Sequence, residues 1–245
     1  MPGAAASSCR PNRDAVESAG LDGDVTSSRT GLVNALPDLA FSVVFLVTWI
    51  RPDALGAFMV RWLLMVMLME FIVLHSAAFM GTVALAPGSR ARRGLAILGF
   101  AVLYTLFAGA FSLLFKSWWP LASFWALTLN RLLGVLIGQV PDEEQKAFVM
   151  RGWSAGIAFY VLGCFATVFL PVPALGITPA VVAAQHIPGK GLWVEQPHKV
   201  VAFGFLYFLL TAWSEANAHA WMRRTGTAPG PTAPPPTASP PAGGG

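Results

Sequence analysis

The sequence has little charge. Asp, Glu, Lys and Arg together make up 11% of the 245 residues, whereas hydrophobic residues make up 55%. Soluble domains carry about 25% charged residues, so this composition excludes an ordinary soluble domain and indicates a membrane protein with small extramembrane parts. The formal net charge is +4, but the basic residues cluster beside apolar segments and do not form one basic face. We therefore expect no binding to nucleic acid.

Motifs for metal binding and hydrolysis are also missing. The two cysteines, Cys9 and Cys164, do not form a CxxC spacing, and no GxSxG nucleophile motif occurs. The first 30 residues contain no apolar run typical of a cleaved secretory signal. We therefore expect no cofactor, and we expect the first apolar segment to serve as the insertion signal.

What the sequence does contain is a series of apolar segments. A membrane-spanning helix needs about 20 mostly apolar residues, and six segments have roughly this length and composition. The predicted fold class is all-α, a polytopic integral membrane helical bundle with about six transmembrane helices. The predicted spans are Leu36 to Ile50, Ala57 to Leu85, Leu95 to Phe115, Trp118 to Val140, Gly152 to Leu170 and Pro197 to Trp221.

The ends of the chain differ from this apolar domain. Residues 1–30 are polar without periodicity, and residues 225–245 are rich in Pro and Gly. Neither segment can bury enough apolar surface to offset its ordering entropy, so both are predicted to be disordered tails around a transmembrane domain at 31–224. Within the loop at 174–196, Thr178 followed by Pro179 predicts a short N-capped helix lying at the membrane interface.

Basic residues predict the orientation. With the N-terminus inside, ten basic residues fall on the cytoplasmic side and four on the other, which favours cytoplasmic placement of both termini. The Arg-rich, Ala-, Gly- and Pro-rich composition indicates a bacterial source, so we expect a multi-pass protein of the inner (cytoplasmic) membrane. The inner set is Arg10, Arg13, Arg29, Arg90, Arg92, Arg93, Lys146, Arg151, Arg223 and Arg224; the outer set is Arg51, Lys116, Lys190 and Lys199.

Two opposite charges, Glu70 and Arg131, lie near the middle of the second and fourth spans. Each follows the start of its predicted span by 13 residues, counted from Ala57 and Trp118, which places both about 20 Å below the same boundary. A charge at the bilayer centre costs about 2.5 to 3.5 kcal/mol and normally has a partner. We predict an intramembrane ion pair between Glu70 and Arg131, acting either as a structural clasp or as a substrate or proton site.

Small residues share the helix faces of these charges. Such residues let membrane helices approach closely, so we expect contacts within the bundle and homo- or hetero-oligomer formation through these faces, in addition to contact with the lipid bilayer. Beside Glu70 these are Ala77, Gly81 and Ala84; beside Arg131 they are Thr128, Gly134 and Gly138; on the fifth span Gly152, Gly156, Tyr160, Gly163 and Thr167 form a similar face.

A second polar cluster is predicted nearer the cytoplasm. Glu215 and His219 are spaced i,i+4 on the sixth span, and His75 of the second span comes within a turn or two of the depth of Glu215. A carboxylate with imidazoles can ligate a metal or relay protons. The alternative is that His219 only reaches the interface from the end of its helix, and we assign no metal.

Three classes of function remain open. The favoured interpretation is a non-catalytic membrane component, an assembly or interaction protein, because catalytic motifs are missing. The first alternative is a small-solute or proton/ion transporter that uses Glu70 and Arg131. The second alternative is a membrane-embedded enzyme based on His75, Glu215 and His219. Neither a substrate nor a catalytic residue is identifiable, and enzyme function is the least favoured of the three.

Overall fold

The computed structural model describes residues 13–137, 143–217, 219, 221 and 222. This described part of the chain is helical, without a strand, and contains eight helices that we number in chain order. They are α1 (Arg13–Ile50), α2 (Met59–Leu85), α3 (Arg90–Phe115), α4 (Trp119–Ile137), α5 (Glu143–Phe169), α6 (Pro179–Ala184), α7 (Leu192–Glu195) and α8 (Pro197–Ala216).

Six of the helices are long and apolar enough to cross a membrane: Gly31–Ile50 within α1, and α2, α3, α4, α5 and α8. The predicted all-α, multi-pass membrane architecture is therefore confirmed. α1 begins at Arg13, inside the segment for which we predicted disorder. Residues 1–12 and the predicted tail at 225–245 lie outside the described residues.

Local capping explains where some helices begin. α3 begins at Arg90, five residues before the predicted Leu95, because the hydroxyl of Ser89 accepts a hydrogen bond from the Arg92 backbone N–H at 3.3 Å. The predicted short helix after the fifth span is confirmed as α6. Its N-cap is Thr178, whose hydroxyl accepts a hydrogen bond from the Val181 N–H at 3.4 Å.

The bundle is organised around α2 and α8, which are the most buried of the spanning helices. α1 packs along α8, α5 packs against α8 and α2, α3 packs against α2, and α4 packs mainly against α3. α1 and α8 are antiparallel. Gly31, the first residue of the spanning part of α1, contacts Glu215 at the end of α8. Farther along α1, Ser42 donates a hydrogen bond to the Phe205 carbonyl at 3.1 Å.

The two ends of the bundle differ. We call the end that carries α6 and α7 the α6 end, and the end that carries the α2–α3 turn the Arg90 end. At the α6 end, the fully buried side chain of Gln185 accepts from the Arg61 N–H at 3.2 Å and donates to the Ala57 carbonyl at 2.9 Å. The Arg61 guanidinium donates to the Phe115 carbonyl at 2.9 Å, so the loop after α5 is fastened to α2 and α3.

Small residues form several of the helix contacts. A Cβ at Gly81 would overlap the Trp153 indole, and one at Gly163 would overlap the Phe203 ring, so both positions require glycine for close packing. The predicted face of α5 is therefore a packing face. On the predicted face of α4, Thr128 is buried, whereas a Cβ at Gly134 would have no neighbour within 4 Å. Gly138 lies outside the described residues.

Candidate functional site

The predicted ion pair between Glu70 and Arg131 does not form. The Tyr207 hydroxyl donates a hydrogen bond to Glu70 Oε1 at 2.6 Å. Arg131 instead donates through Nη1 to Ser76 Oγ at 3.2 Å and to Met80 Sδ at 3.7 Å. Among the residues that the structure describes, the one side-chain ion pair joins Lys146 and Glu143.

Helix geometry explains this correction. Arg131 does reach α2, as the matched depths predicted, but it meets α2 at Ser76, six residues after Glu70. Six residues correspond to about 9 Å along a helix and about 120° around it. Glu70 therefore faces α8, whereas Arg131 contacts α2 farther towards the Arg90 end and on a different side.

Glu70 belongs instead to a group of three carboxylates on three helices, which we call the acidic cluster: Asp38 of α1, Glu70 of α2 and Glu215 of α8. Asp38 lies near enough to interact electrostatically with both Glu70 and Glu215. Tyr207, which donates to Glu70, also lies within the field of Asp38. Asp38 therefore contributes to the electrostatic environment of both other carboxylates.

The cluster extends along α8. Glu215 follows Tyr207 by eight residues, which corresponds to about 12 Å along the helix axis. The antiparallel pairing of Ser42 with Phe205 places Asp38 beside the part of α8 between these two residues. The acidic cluster therefore runs from Glu215, at the Arg90 end of α8, to Glu70 in the interior of α2.

No basic side chain pairs with the acidic cluster in the described part of the chain. Like charges repel strongly where the dielectric constant is low, and charges within a membrane normally find partners. The partners found here are neutral, and the clearest is the Tyr207 hydroxyl. Such an arrangement favours occupancy of the cluster by a proton, because proton uptake removes both the charge and the repulsion.

Two further tyrosine features define the surroundings of Glu70. Tyr160 of α5 lies near enough to Glu70 to interact with it, and its hydroxyl donates to the Met67 carbonyl at 2.7 Å. The rings of Tyr160 and Tyr207 pack edge to face with centroids 5.6 Å apart. Gly156 approaches the Tyr207 hydroxyl closely enough that an added Cβ would lie 3.8 Å away. α5 therefore closes the acidic cluster on the side of Glu70.

The second predicted cluster is not assembled. His75 Nδ1 lies 2.9 Å from the Phe71 carbonyl of its own helix, and buried His219 places Nδ1 2.7 Å from Ser214 Oγ. No group of three His, Cys, Asp or Glu side chains in the described residues has a metal-binding arrangement. His75 and His219 therefore make separate local contacts, and Glu215 belongs to the acidic cluster.

The backbone at His219 explains this second correction. The i,i+4 spacing of Glu215 and His219 applies only inside a helix, but α8 ends at Ala216 and His219 has φ of +53°. The chain thus turns the His219 ring towards α5, where it packs against Phe148 with centroids 5.2 Å apart. Burial lowers the pKa of His219 below its usual value of 6.5, and the charge of nearby Arg151 lowers that pKa further.

Asp38 and Tyr207 are the site residues that sequence reasoning missed. Asp38 lies two residues after Leu36, the predicted beginning of the first span, where Asp is favourable at a helix N-terminus. The helix instead continues through Pro37, so Asp38 lies inside the spanning segment. The sequence signal that could have identified Asp38 is a carboxylate within the apolar segment Gly31–Ile50. For Tyr207 the only sequence signal is a hydroxyl group within an apolar run.

Comparison with protein-family models, with curated proteins and with solved structures finds no match for this chain. The chemistry of the site must therefore be argued from its own residues. These residues offer carboxylates and a phenol hydroxyl in a series within the membrane spans, the kinds of group that accept and pass on protons.

Proposed function

We propose that this multi-pass membrane protein transfers protons through the acidic cluster. The observation that supports the proposal is the convergence of Asp38, Glu70 and Glu215 from three helices, without a basic partner among the described residues. Intramembrane carboxylates of this kind typically belong to proton relays or ion pathways. A proton suits the cluster better than a metal ion, because the described carboxylates and histidines lack a metal-binding arrangement.

The order of the residues suggests the direction of the pathway. A proton enters at Glu215, near the last residue of α8, and passes by way of Asp38 to Glu70. The Tyr207 hydroxyl holds Glu70 in place and can exchange its own proton with the carboxylate. Glu70 is the innermost member of the series, so loss of Glu70 interrupts transfer even when the other two carboxylates remain.

The proposed location is the inner membrane of a bacterium, with both termini and the Arg90 end in the cytoplasm. The basis is the excess of basic residues, such as Arg90 and Arg92, on that side. Single cysteines at positions 90 and 190, introduced into a Cys9→Ser, Cys164→Ser background, test it with a membrane-impermeant thiol reagent applied to intact cells. Labelling at 190 and protection at 90 support this orientation, whereas the reverse pattern inverts it.

Proton flux into liposomes tests the function. Purified protein is reconstituted into vesicles that contain a pH-sensitive dye, and a potassium diffusion potential set with valinomycin drives proton entry. The expected result is a flux above that of protein-free vesicles, abolished by Glu70→Gln and reduced by Asp38→Asn. The control is Glu195→Gln, which removes an exposed carboxylate outside the spanning helices and leaves the flux unchanged.

Two outcomes contradict the proposal. One is a wild-type flux no greater than that of protein-free vesicles. The other is an equal flux in the wild type and in a correctly folded Glu70→Gln variant, since Glu70 then carries no protons. Size-exclusion profiles and melting temperatures of each variant show whether the protein has folded.

A second candidate function is a non-catalytic component that assembles with another membrane protein or a second copy of itself. The observation that favours it is unfilled space at Gly99 and Gly109 of α3, where an added Cβ would have no neighbour within 4 Å. Small residues on such faces suit contact with another helix. The mass of the protein in lipid nanodiscs tests this: a dimer or mixed complex that Gly109→Leu dissociates supports it, and a monomer contradicts it.

A further inference from the structure

A cavity of about 280 Å³ lies away from the acidic cluster, among α2, α3, α4 and α5. It is near the Arg90 end of the bundle, because the last turns of α2 line it. Its walls are mostly apolar but include two arginines, Arg93 and Arg131. No carboxylate among the described residues lines it, so the described part of the cavity combines an apolar wall with two positive charges. Further lining residues are Met80, Ala84, Val135, Val149 and Trp153.

Neither arginine forms an ion pair with a residue that the structure describes. Arg93 is only 8% exposed; its Nη1 donates to the Ala84 carbonyl at 2.8 Å, while its Nε–H is buried without a hydrogen-bond partner. Arg131 donates to the hydroxyl of Ser76 and the sulfur of Met80, both uncharged. An unsatisfied N–H and two uncompensated charges in a membrane span are costly. An anion in the cavity would compensate the two positive charges and accept a hydrogen bond from the unsatisfied N–H.

The spacing of the arginines suits one anionic group. Arg131 contacts α2 at Met80 and Arg93 contacts α2 at Ala84, one helical turn or about 6 Å apart along the axis. Guanidinium groups bind phosphate through charge-assisted hydrogen bonds. A phosphate between α2 and α4 can therefore be reached by both side chains.

The surroundings identify the source of the phosphate as a lipid. α4 packs on α3 and α2, whereas α5 packs on α8 and α2, so the cavity lies where α4 and α5 separate towards the membrane. Val149 of α5, which lines the cavity, is an exposed apolar side chain at this separation. Basic pockets between transmembrane helices near one membrane surface bind anionic lipid headgroups. We propose that this cavity binds the phosphate of an anionic phospholipid, whose acyl chains lie along α4 and α5.

Lipid-dependent thermal stability tests the proposal. The delipidated protein in a non-ionic detergent is titrated with phosphatidylglycerol, with phosphatidylcholine, or with glycerol 3-phosphate as the soluble counterpart. We expect the melting temperature to rise with phosphatidylglycerol, because a ligand that binds the folded state stabilises it. This rise should be lost in Arg93→Gln and in Arg131→Gln. It should persist in Arg92→Gln, which removes an adjacent but exposed arginine.

A cavity-filling variant protects the test against simple misfolding. Gly134 lines the cavity and has open space beside it, so Gly134→Leu keeps both arginines while occupying the binding volume. We expect it to retain the melting temperature of the delipidated wild type but to lose the rise with phosphatidylglycerol. Gly99→Leu, in equally open space but outside the cavity, is the matched control and keeps the rise.

Three results overturn the proposal. Equal stabilisation by phosphatidylcholine shows that the lipid effect does not depend on negative charge. Stabilisation by glycerol 3-phosphate without lipid shows that the ligand is a soluble anion. Retention of the phosphatidylglycerol effect in folded Gly134→Leu shows that lipid binds elsewhere. The assay measures unfolding and not proton flux, so its result is independent of the function proposed for the acidic cluster.

Discussion

Two regions of the bundle, on opposite sides of α2, differ in the sign of their intramembrane charges. Towards α1 and α8 lie the carboxylates of the acidic cluster, with Glu70 held by Tyr207. Towards α3 and α4 lie Arg93 and Arg131, which bond to the α2 carbonyl, hydroxyl and thioether groups between Ser76 and Ala84. Opposite charges on adjacent helices thus remain apart, and Glu70, Arg93 and Arg131 hydrogen-bond to neutral groups.

The packing of the two regions differs as well. On the acidic side, glycines admit aromatic rings: a Cβ at Gly204 would overlap the ring of Phe45, which is completely buried. On the basic side, Gly81 likewise admits the Trp153 ring, but Gly134 lies beside a cavity. The α1–α8 contact beside the acidic cluster is therefore closely packed, whereas the arginines lie beside space that suits a ligand.

The largest expected effect comes from disturbing this difference in packing. Gly204→Val should destabilise the protein by about 3 kcal/mol, the upper end of the usual range for overpacking, because Phe45 cannot move without disturbing α1. Gly134→Ala on the basic side should instead be neutral or stabilising by about 0.5 to 1 kcal/mol, since alanine favours helix and meets nothing. Reversible unfolding in mixed micelles measures both. Equal effects would show that the two sides are packed alike.

The next largest effect is expected from removing the neutral hydrogen-bond partners of Glu70 and Arg131. Tyr207→Phe should cost about 2 kcal/mol, because it leaves buried Glu70 without its hydrogen-bond donor. Ser76→Ala should cost only about 1 kcal/mol, because Arg131 keeps Met80 and faces a cavity. The same unfolding assay compares them. A larger loss of unfolding free energy for Ser76→Ala than for Tyr207→Phe would contradict the inference that the surroundings of Glu70 are more closed than those of Arg131.

A pH-dependent effect is expected where α8 ends. Because His219 binds protons less readily in the folded than in the unfolded state, the unfolded state gains protons first as the pH falls below about 6.5. The contribution of neutral His219 to stability should therefore be complete above that pH and be lost progressively below it. Melting temperatures measured from about pH 8 to about pH 5, a range that spans the titration of histidine, test this. His219→Asn should flatten the profile, whereas His186→Asn in the α6 loop should not.

The smallest expected effect is the coupling between Glu70 and Arg131. Since they contact different sides of α2, the losses of Glu70→Gln and Arg131→Met should add to within about 0.5 kcal/mol in the double variant. A double-mutant cycle on unfolding free energies measures this coupling. Marked recovery in the double variant would restore the ion-pair hypothesis.

The apolar pattern predicted the six spanning helices, because span length and composition are local properties of the sequence. It also predicted that Arg131 of α4 reaches α2. The partners of Glu70 and Arg131 depended on how each helix is rotated about its axis, which the apolar pattern did not predict. On α2, Glu70 faces α8, whereas Ser76, six residues later, faces α4. His219 was misplaced because helix periodicity was applied after α8 had ended. Asp38 was missed because the predicted first span began only two residues before it, at Leu36, whereas the spanning segment begins at Gly31.

The pairing of α1 with α8 has a consequence for biosynthesis. Ser42 and its hydrogen-bond partner Phe205 are 163 residues apart in sequence. At translation rates of about 5 to 20 residues per second, α8 is made roughly 8 to 30 s after this part of α1. During that interval Asp38 and Ser42 have entered the membrane without the helix that later covers them. Two polar side chains of the first span therefore stay uncovered by α8 until the last span has been made.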